Sequence, residues 1–159
     1  MSQVHLHLLI THLPVFGSIL GAIVLGYGLW TKSLQTKNAA YLLFIISAIG
    51  ALIAYLTGEG AEDTVEKIQG VSKNMIDQHE DTAVFALVSL IILGAMSVIA
   101  IVIKRYKPSL VNAMSFIILI LSLISFGLIA RTGYLGGKIR HTEISTGTVQ
   151  NSGVGEPGQ

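Results

Sequence analysis

The hydrophobic positions of this chain fall into four long runs, and the charged positions lie almost entirely between them. The runs are Leu8–Trp30, Ala39–Thr57, Ala83–Ile103 and Leu110–Ala130. Each holds about the 20 residues that an α-helix needs to cross a bilayer core of roughly 30 Å. His12 is the only readily ionisable side chain inside any of them. The pattern predicts four transmembrane helices, at about 8–30, 39–57, 83–103 and 110–130. Tyr27, Trp30, Tyr41 and Tyr55 stand near run ends, as interfacial aromatics do. Pro108 precedes the fourth run, where a helix start tolerates it.

The links between runs differ in kind. Thr31–Asn38 is short and basic, Lys104–Pro108 is shorter and more basic, and 58–82 is long and acidic. Short links join antiparallel neighbours. The expected fold is all-α: an integral membrane four-helix up-down bundle. Residues 1–144 form its one domain, and 145–159, rich in Gly, Ser and Thr, is expected to be a flexible tail. Within the acidic loop, Glu59, Glu62 and Glu66 share one face if 60–70 is helical, which predicts a short amphipathic surface helix.

Small residues repeat every four positions: Gly17/Gly21 and Ser18/Ala22/Gly26 in the first run, Ser47/Ala51 and Gly50/Ala54 in the second. Lipid supplies no hydrophobic force between helices, so close backbone approach must do so. Packing inside the bundle is the expected use of these faces, ahead of a homodimer face.

Composition narrows the class. Of 159 residues, 52% are hydrophobic and 12% charged, about half the usual charge content, and the mean hydropathy is +0.69. Intrinsic disorder and a nucleic-acid partner are excluded, because both need charge. The chain has no Cys, so disulfides, Cys-ligated zinc, iron–sulfur clusters and covalently attached haem are excluded. The first residues, Met1 to His7, hold no Lys or Arg. A cleaved signal or transit peptide carries such charge, so the first run is expected to be a retained membrane helix.

The net charge of +1 hides a sorting of charge. Lys32, Lys37, Lys104, Arg105 and Lys107 occupy the two short links with no acid among them. The long link carries Glu59, Glu62, Asp63, Glu66, Asp77, Glu80 and Asp81 against Lys67 and Lys73. Cytoplasmic loops retain the positive charge. The expectation is a bacterial inner (cytoplasmic) membrane protein with both termini and the acidic loop on the outer, periplasmic side.

All five histidines fall on that same side. His5, His7 and His12 stand at the start of the first run, His79 four residues before the third, and His141 beyond the fourth. Glu62, Glu80 and Glu143 join them. On a helix His5 and His12 share a face while His7 projects elsewhere. Neutral imidazole ligates haem iron, zinc and copper. An ionisable group below the membrane surface usually has a partner or a function. His12 and His79 are therefore the leading metal ligands, with His141, His7, Glu62 and Glu80 as further candidates. Hydrogen bonding to backbone is the simpler alternative for His12. Arg131 and Arg140 are candidates to bind haem propionates, where a guanidinium suits a carboxylate; pairing with the local acids is their simpler use. Gly133, Gly136 and Gly137 read as a helix C-cap or turn. His79-Glu80 opens like a zinc-protease motif, but Ala83 stands where the second His must be.

His7-Leu-Leu-Ile-Thr-His12-Leu-Pro14, Thr57-Gly-Glu-Gly-Ala-Glu62, His79-Glu80 and Ala130-Arg-Thr-Gly-Tyr-Leu-Gly-Gly-Lys-Ile-Arg-His141 resemble the bacterial membrane proteins grouped as domain of unknown function 2231. The usual Pro after the first His of that family is Leu8 here. The resemblance implies a four-helix bacterial membrane protein, sometimes found with redox partners, and no particular activity.

Three functions stay open. One is a redox subunit holding haem b or a transition-metal ion, exchanging electrons with a periplasmic carrier, a quinone or respiratory-complex subunits. The second is a membrane metalloenzyme or metal-handling protein using iron, zinc, manganese or copper. The third is a cofactor-free structural or assembly subunit. A transmembrane proton relay is disfavoured, because no run carries an ionisable path below His12.

Overall fold

The computed structural model describes residues 3–65 and 73–140, with side chains over 5–58 and 73–138. Helix α1 (Gln3–Ile10) leads into α2 (His12–Trp30), followed by α3 (Leu34–Val65), α4 (Lys73–Ile103) and α5 (Val111–Arg140). There are no strands among the described residues. Four stretches are long and apolar enough to cross a membrane: His5–Trp30, Leu34–Gly58, Lys73–Ile103 and Pro108–Lys138. The expected all-α four-helix bundle is the observed one.

The first span is interrupted only at Thr11. Pro14 has no N–H to give the Ile10 carbonyl, so the regular ladder lapses there. Thr11 still keeps a helical backbone and its N–H still reaches the His7 carbonyl at 3.0 Å. Lys32 turns the chain into α3 with φ 56°, the left-handed conformation that closes many helices. Pro108 opens a single 3₁₀ turn, Pro108–Leu110, ahead of α5.

Helices α2 and α3, α3 and α4, and α4 and α5 pack as sequence neighbours, and α5 closes the ring against α2. Helices α2 and α4 are therefore diagonal. Buried positions step by four and three: Pro14, Ser18, Gly21, Leu25 and Gly28 in α2; Ala40, Phe44, Ser47, Ala51 and Ala54 in α3; Ala86, Leu90, Leu93, Ser97 and Ala100 in α4. In α5 the same seam runs through Val111, Ser115, Ile118, Ser122, Ser125 and Thr132. This is the 3.5-residue repeat of helices that wind gently about one another.

Small residues permit the approach. A Cβ on Gly17 would overlap the Ser47 hydroxyl, and one on Gly21 would overlap the Phe44 ring. A Cβ on Gly94 would stand 2.7 Å from that of Ala48. Gly26 faces open space, so only part of the expected Ser18/Ala22/Gly26 stripe is used.

The helices outrun their apolar segments. Helix α4 has 31 residues, or about 46 Å at 1.5 Å per residue, against a core of roughly 30 Å. Helix α3 continues through Gly60 to Val65, so 60–65 extends that helix; 66–70, the rest of the expected amphipathic helix, lies outside the described residues. Gly133, Gly136 and Gly137 lie inside α5 and form neither a turn nor a C-cap.

The bundle has a basic and a histidine end. At the first, Lys37 is 2% exposed and donates to Asn112 Oδ1 at 2.6 Å. One turn deeper Tyr41 and Ser115 share a buried hydrogen bond of 2.7 Å. His5, His7, His12 and His79 occupy the opposite end.

Candidate functional site

The helix seams continue into the histidine end. Seven residues before Pro14 stands His7, and seven before Ala86 stands His79; four after Ala54 comes Gly58, and four after Thr132 comes Gly136. These four positions form the last layer of the bundle. Two imidazoles enter it from α1 and α4, and two glycines face them from α3 and α5.

Each ring is held by a neighbouring helix. His7 Nδ1 lies 2.8 Å from the Ala54 carbonyl oxygen on α3. His79 Nδ1 lies 3.0 Å from the Thr132 carbonyl oxygen on α5. A carbonyl only accepts, so both Nδ1 atoms donate. In the neutral ring the lone pair is then on Nε2. A donated Nδ1–H to a carbonyl is also the usual support of a metal-bound histidine. Thr57 Oγ1 stands a longer 3.5 Å from His7 Nδ1 and gives its own proton to the carbonyls of Ile53 and Ala54.

The glycines make room unequally. A Cβ on Gly136 would lie 3.1 Å from His79 Cε1, whereas one on Gly58 would meet His7 Cε1 at an ordinary 3.5 Å. Both histidines are half-buried, and the two rings are near enough to interact electrostatically. The structure thus places the two imidazoles at the same end of the bundle, one tied to α3 and the other to α5.

The other expected site residues are placed differently. His12 is exposed, gives its Nδ1 proton to the Leu8 carbonyl of its own helix at 2.8 Å, and stacks on Phe16 with ring centroids 6.1 Å apart. Its ring bonds within its own helix, whereas those of His7 and His79 bond across to a neighbouring helix. His5 and Glu80 are exposed. Arg131 is exposed in a groove between α4 and α5. Lys138 lies over the Tyr134 ring, 4.6 Å from its centre. The side chains of Glu62 and Arg140, and all of His141 and Glu143, lie outside the described residues. Among the described residues no three His, Asp or Glu side chains are grouped to hold a metal ion.

The comparisons agree with the architecture. A family model described as predicted membrane protein (DUF2231) matches residues 3–145. The chain belongs to this family. Its matched region takes in all five spanning and flanking helices and both ring-bearing segments. No curated protein and no solved structure matches the chain.

Proposed function

We propose that this member of the DUF2231 family binds a redox cofactor between His7 and His79 and transfers electrons at the histidine side of the membrane. The observation behind this reading is the pair of Nδ1–H···O=C bonds, which orient two imidazoles and reserve both Nε2 lone pairs. Haem b suits a two-histidine set best. Its porphyrin supplies four nitrogens to the iron, so two protein ligands complete the coordination. Bound there, haem would supply a one-electron couple; the chain holds each ring by its Nδ1 and leaves Nε2 as the nitrogen free to ligate. Arg131 and Arg140 are the cations available to propionates at that level.

A transition-metal ion (iron, zinc, manganese or copper) is the second reading. It is favoured by the acids at the same end, since tetrahedral zinc needs four ligands and two imidazoles supply half. Glu62, Glu80 and His141 are then the further donors.

Retention of Lys and Arg in the cytoplasm orients the basic end inward. The protein then lies in the inner membrane with the histidine end toward the periplasm. A periplasmic carrier, a quinone or a respiratory-complex subunit is the electron partner.

Absorption spectra and metal analysis of protein purified from its own membrane test this. A Soret band with sharp reduced bands supports haem. A colourless sample with stoichiometric metal supports the second reading. A colourless, metal-free sample rejects both and leaves a structural or assembly role.

A further inference from the structure

On the outward side of α4 and α5, just above the apolar runs, lies a groove of about 320 Å³. Gln78, Asp81, Thr82 and Arg131 line it, with Phe85 and Leu128 on the inward side and Leu135 one turn outward of Arg131. Asp81 stands two residues above Ala83, and Arg131 follows Ala130. The groove therefore straddles the level at which hydrocarbon gives way to headgroups. Asp81 and Arg131 are both exposed, and among the described residues they form no ion pair.

The hydrogen-bonding inventory selects the ligand. Thr82 spends its hydroxyl proton on the Gln78 carbonyl at 2.8 Å. Gln78 gives an amide proton to Asn74 at 3.2 Å. What remains toward the groove is one cationic fork, Arg131, the second Gln78 amide proton, and a set of acceptors: the Asp81 carboxylate, the Gln78 amide oxygen and the Thr82 oxygen. A guanidinium takes a phosphate through paired N–H bonds. The acceptors suit a cation with several N–H donors, as a primary ammonium has. A trimethylated ammonium has none. A quinone, which only accepts, would leave the three acceptors unmatched.

We propose that this groove holds the headgroup of a phosphatidylethanolamine, with its phosphate on Arg131, its ammonium on Asp81, Gln78 and Thr82, and its acyl chains along Phe85 and Leu128. Arg131 committed to a lipid phosphate leaves Arg140 as the cation for propionates, and lipid retention by cofactor-free protein tests the groove apart from the redox reading.

The test is native mass spectrometry of the delipidated full chain in detergent, offered equal amounts of POPE, POPC and POPG. One POPE is expected to be retained, with about a tenfold preference over POPC, the worth of one charged hydrogen bond. Asp81→Asn should bring the POPE and POPC signals together, and Arg131→Gln should weaken retention of all three. Equal retention of POPE and POPC by the unaltered chain overturns the proposal. So does a preference for POPG, which would mark a plain anion site, or a POPE preference that survives Asp81→Asn.

Discussion

His79 gives its Nδ1 proton to the carbonyl oxygen of Thr132, 3.0 Å away on the neighbouring helix. The bond ties the packing of α4 on α5 to the state of the ring, since it decides which nitrogen holds the lone pair. His7 repeats the arrangement with Ala54 on α3. Substitution by alanine should therefore divide the histidines. His7→Ala and His79→Ala are each expected to lower hemin affinity beyond the roughly 10–100-fold that loss of a supporting partner costs a metal site. His12→Ala should leave it unchanged. Soret titration in detergent reads the difference, and equal losses in all three variants would refute the pairing.

Gly136 should behave unlike its neighbours. Its Cβ would press on the His79 ring at 3.1 Å, whereas Gly133 and Gly137 face open space. Gly136→Val is expected to displace the ring and reduce cofactor occupancy. Gly133→Ala and Gly137→Ala should raise stability, each by about 0.5–1 kcal/mol from the gain in helix propensity. Occupancy and thermal unfolding, measured on the same preparations, check both halves.

Within the membrane the same contrast holds between Gly21 and Gly26. A Cβ at Gly21 collides with the Phe44 ring, and one at Gly26 touches nothing. Gly21→Ala is expected to destabilise the bundle by about 1–3 kcal/mol through overpacking. Gly26→Ala should be near neutral. Denaturant unfolding in mixed micelles measures this.

Acid should separate ligation from packing. Nδ1 keeps its proton when imidazole becomes imidazolium, so the bonds to Ala54 and Thr132 survive protonation. The Nε2 lone pair does not. Cofactor occupancy is expected to fall on acidification, as protons compete for Nε2, while helix content by circular dichroism holds. Occupancy that stays constant until the helices themselves unfold would speak against histidine ligation.

Orientation can be read without background, because the chain has no Cys. Asp77→Cys on α4 and Lys107→Cys beside α5 mark opposite ends. In intact cells a membrane-impermeant maleimide should label Asp77→Cys and spare Lys107→Cys until the membrane is opened. The reverse pattern would invert the topology.

The spans and the sorting of charge were legible because both follow from the bilayer itself. An apolar run, however, marks only the lipid-covered part of a helix. Backbone hydrogen bonding does not stop at the headgroups, so α3 runs on through Glu59 to Glu62 and α5 through Gly133 to Gly137. The choice of histidine followed a finer signal. His12 is the deeper residue by sequence, yet it shares an exposed stripe with Phe16, Leu20 and Ile23. His7 lies on the stripe of Pro14, Ser18 and Gly21. Carrying that small-residue register back two turns would have pointed His7 inward. The contribution of α3 was harder to anticipate, since it comes from the main-chain oxygen of Ala54, and no side-chain pattern reports a carbonyl.

Between Lys37 at one end and His79 at the other, the bundle interior is polar only through hydroxyls. Ser18, Ser47, Ser97 and Ser122 return their protons to carbonyls of their own helices. Inward of His12, Asp81 and Arg131, and as far as Lys37, no Asp, Glu, Lys, Arg or His stands in any span. Nearly all of the transmembrane voltage drops across such a layer, where each charge carried through is worth about 2.3 kcal/mol per 100 mV. A charge reaching His7 and His79 from the adjacent water crosses almost none of it. On the proposed reading, electron transfer at the histidine layer is thereby insulated from the membrane potential.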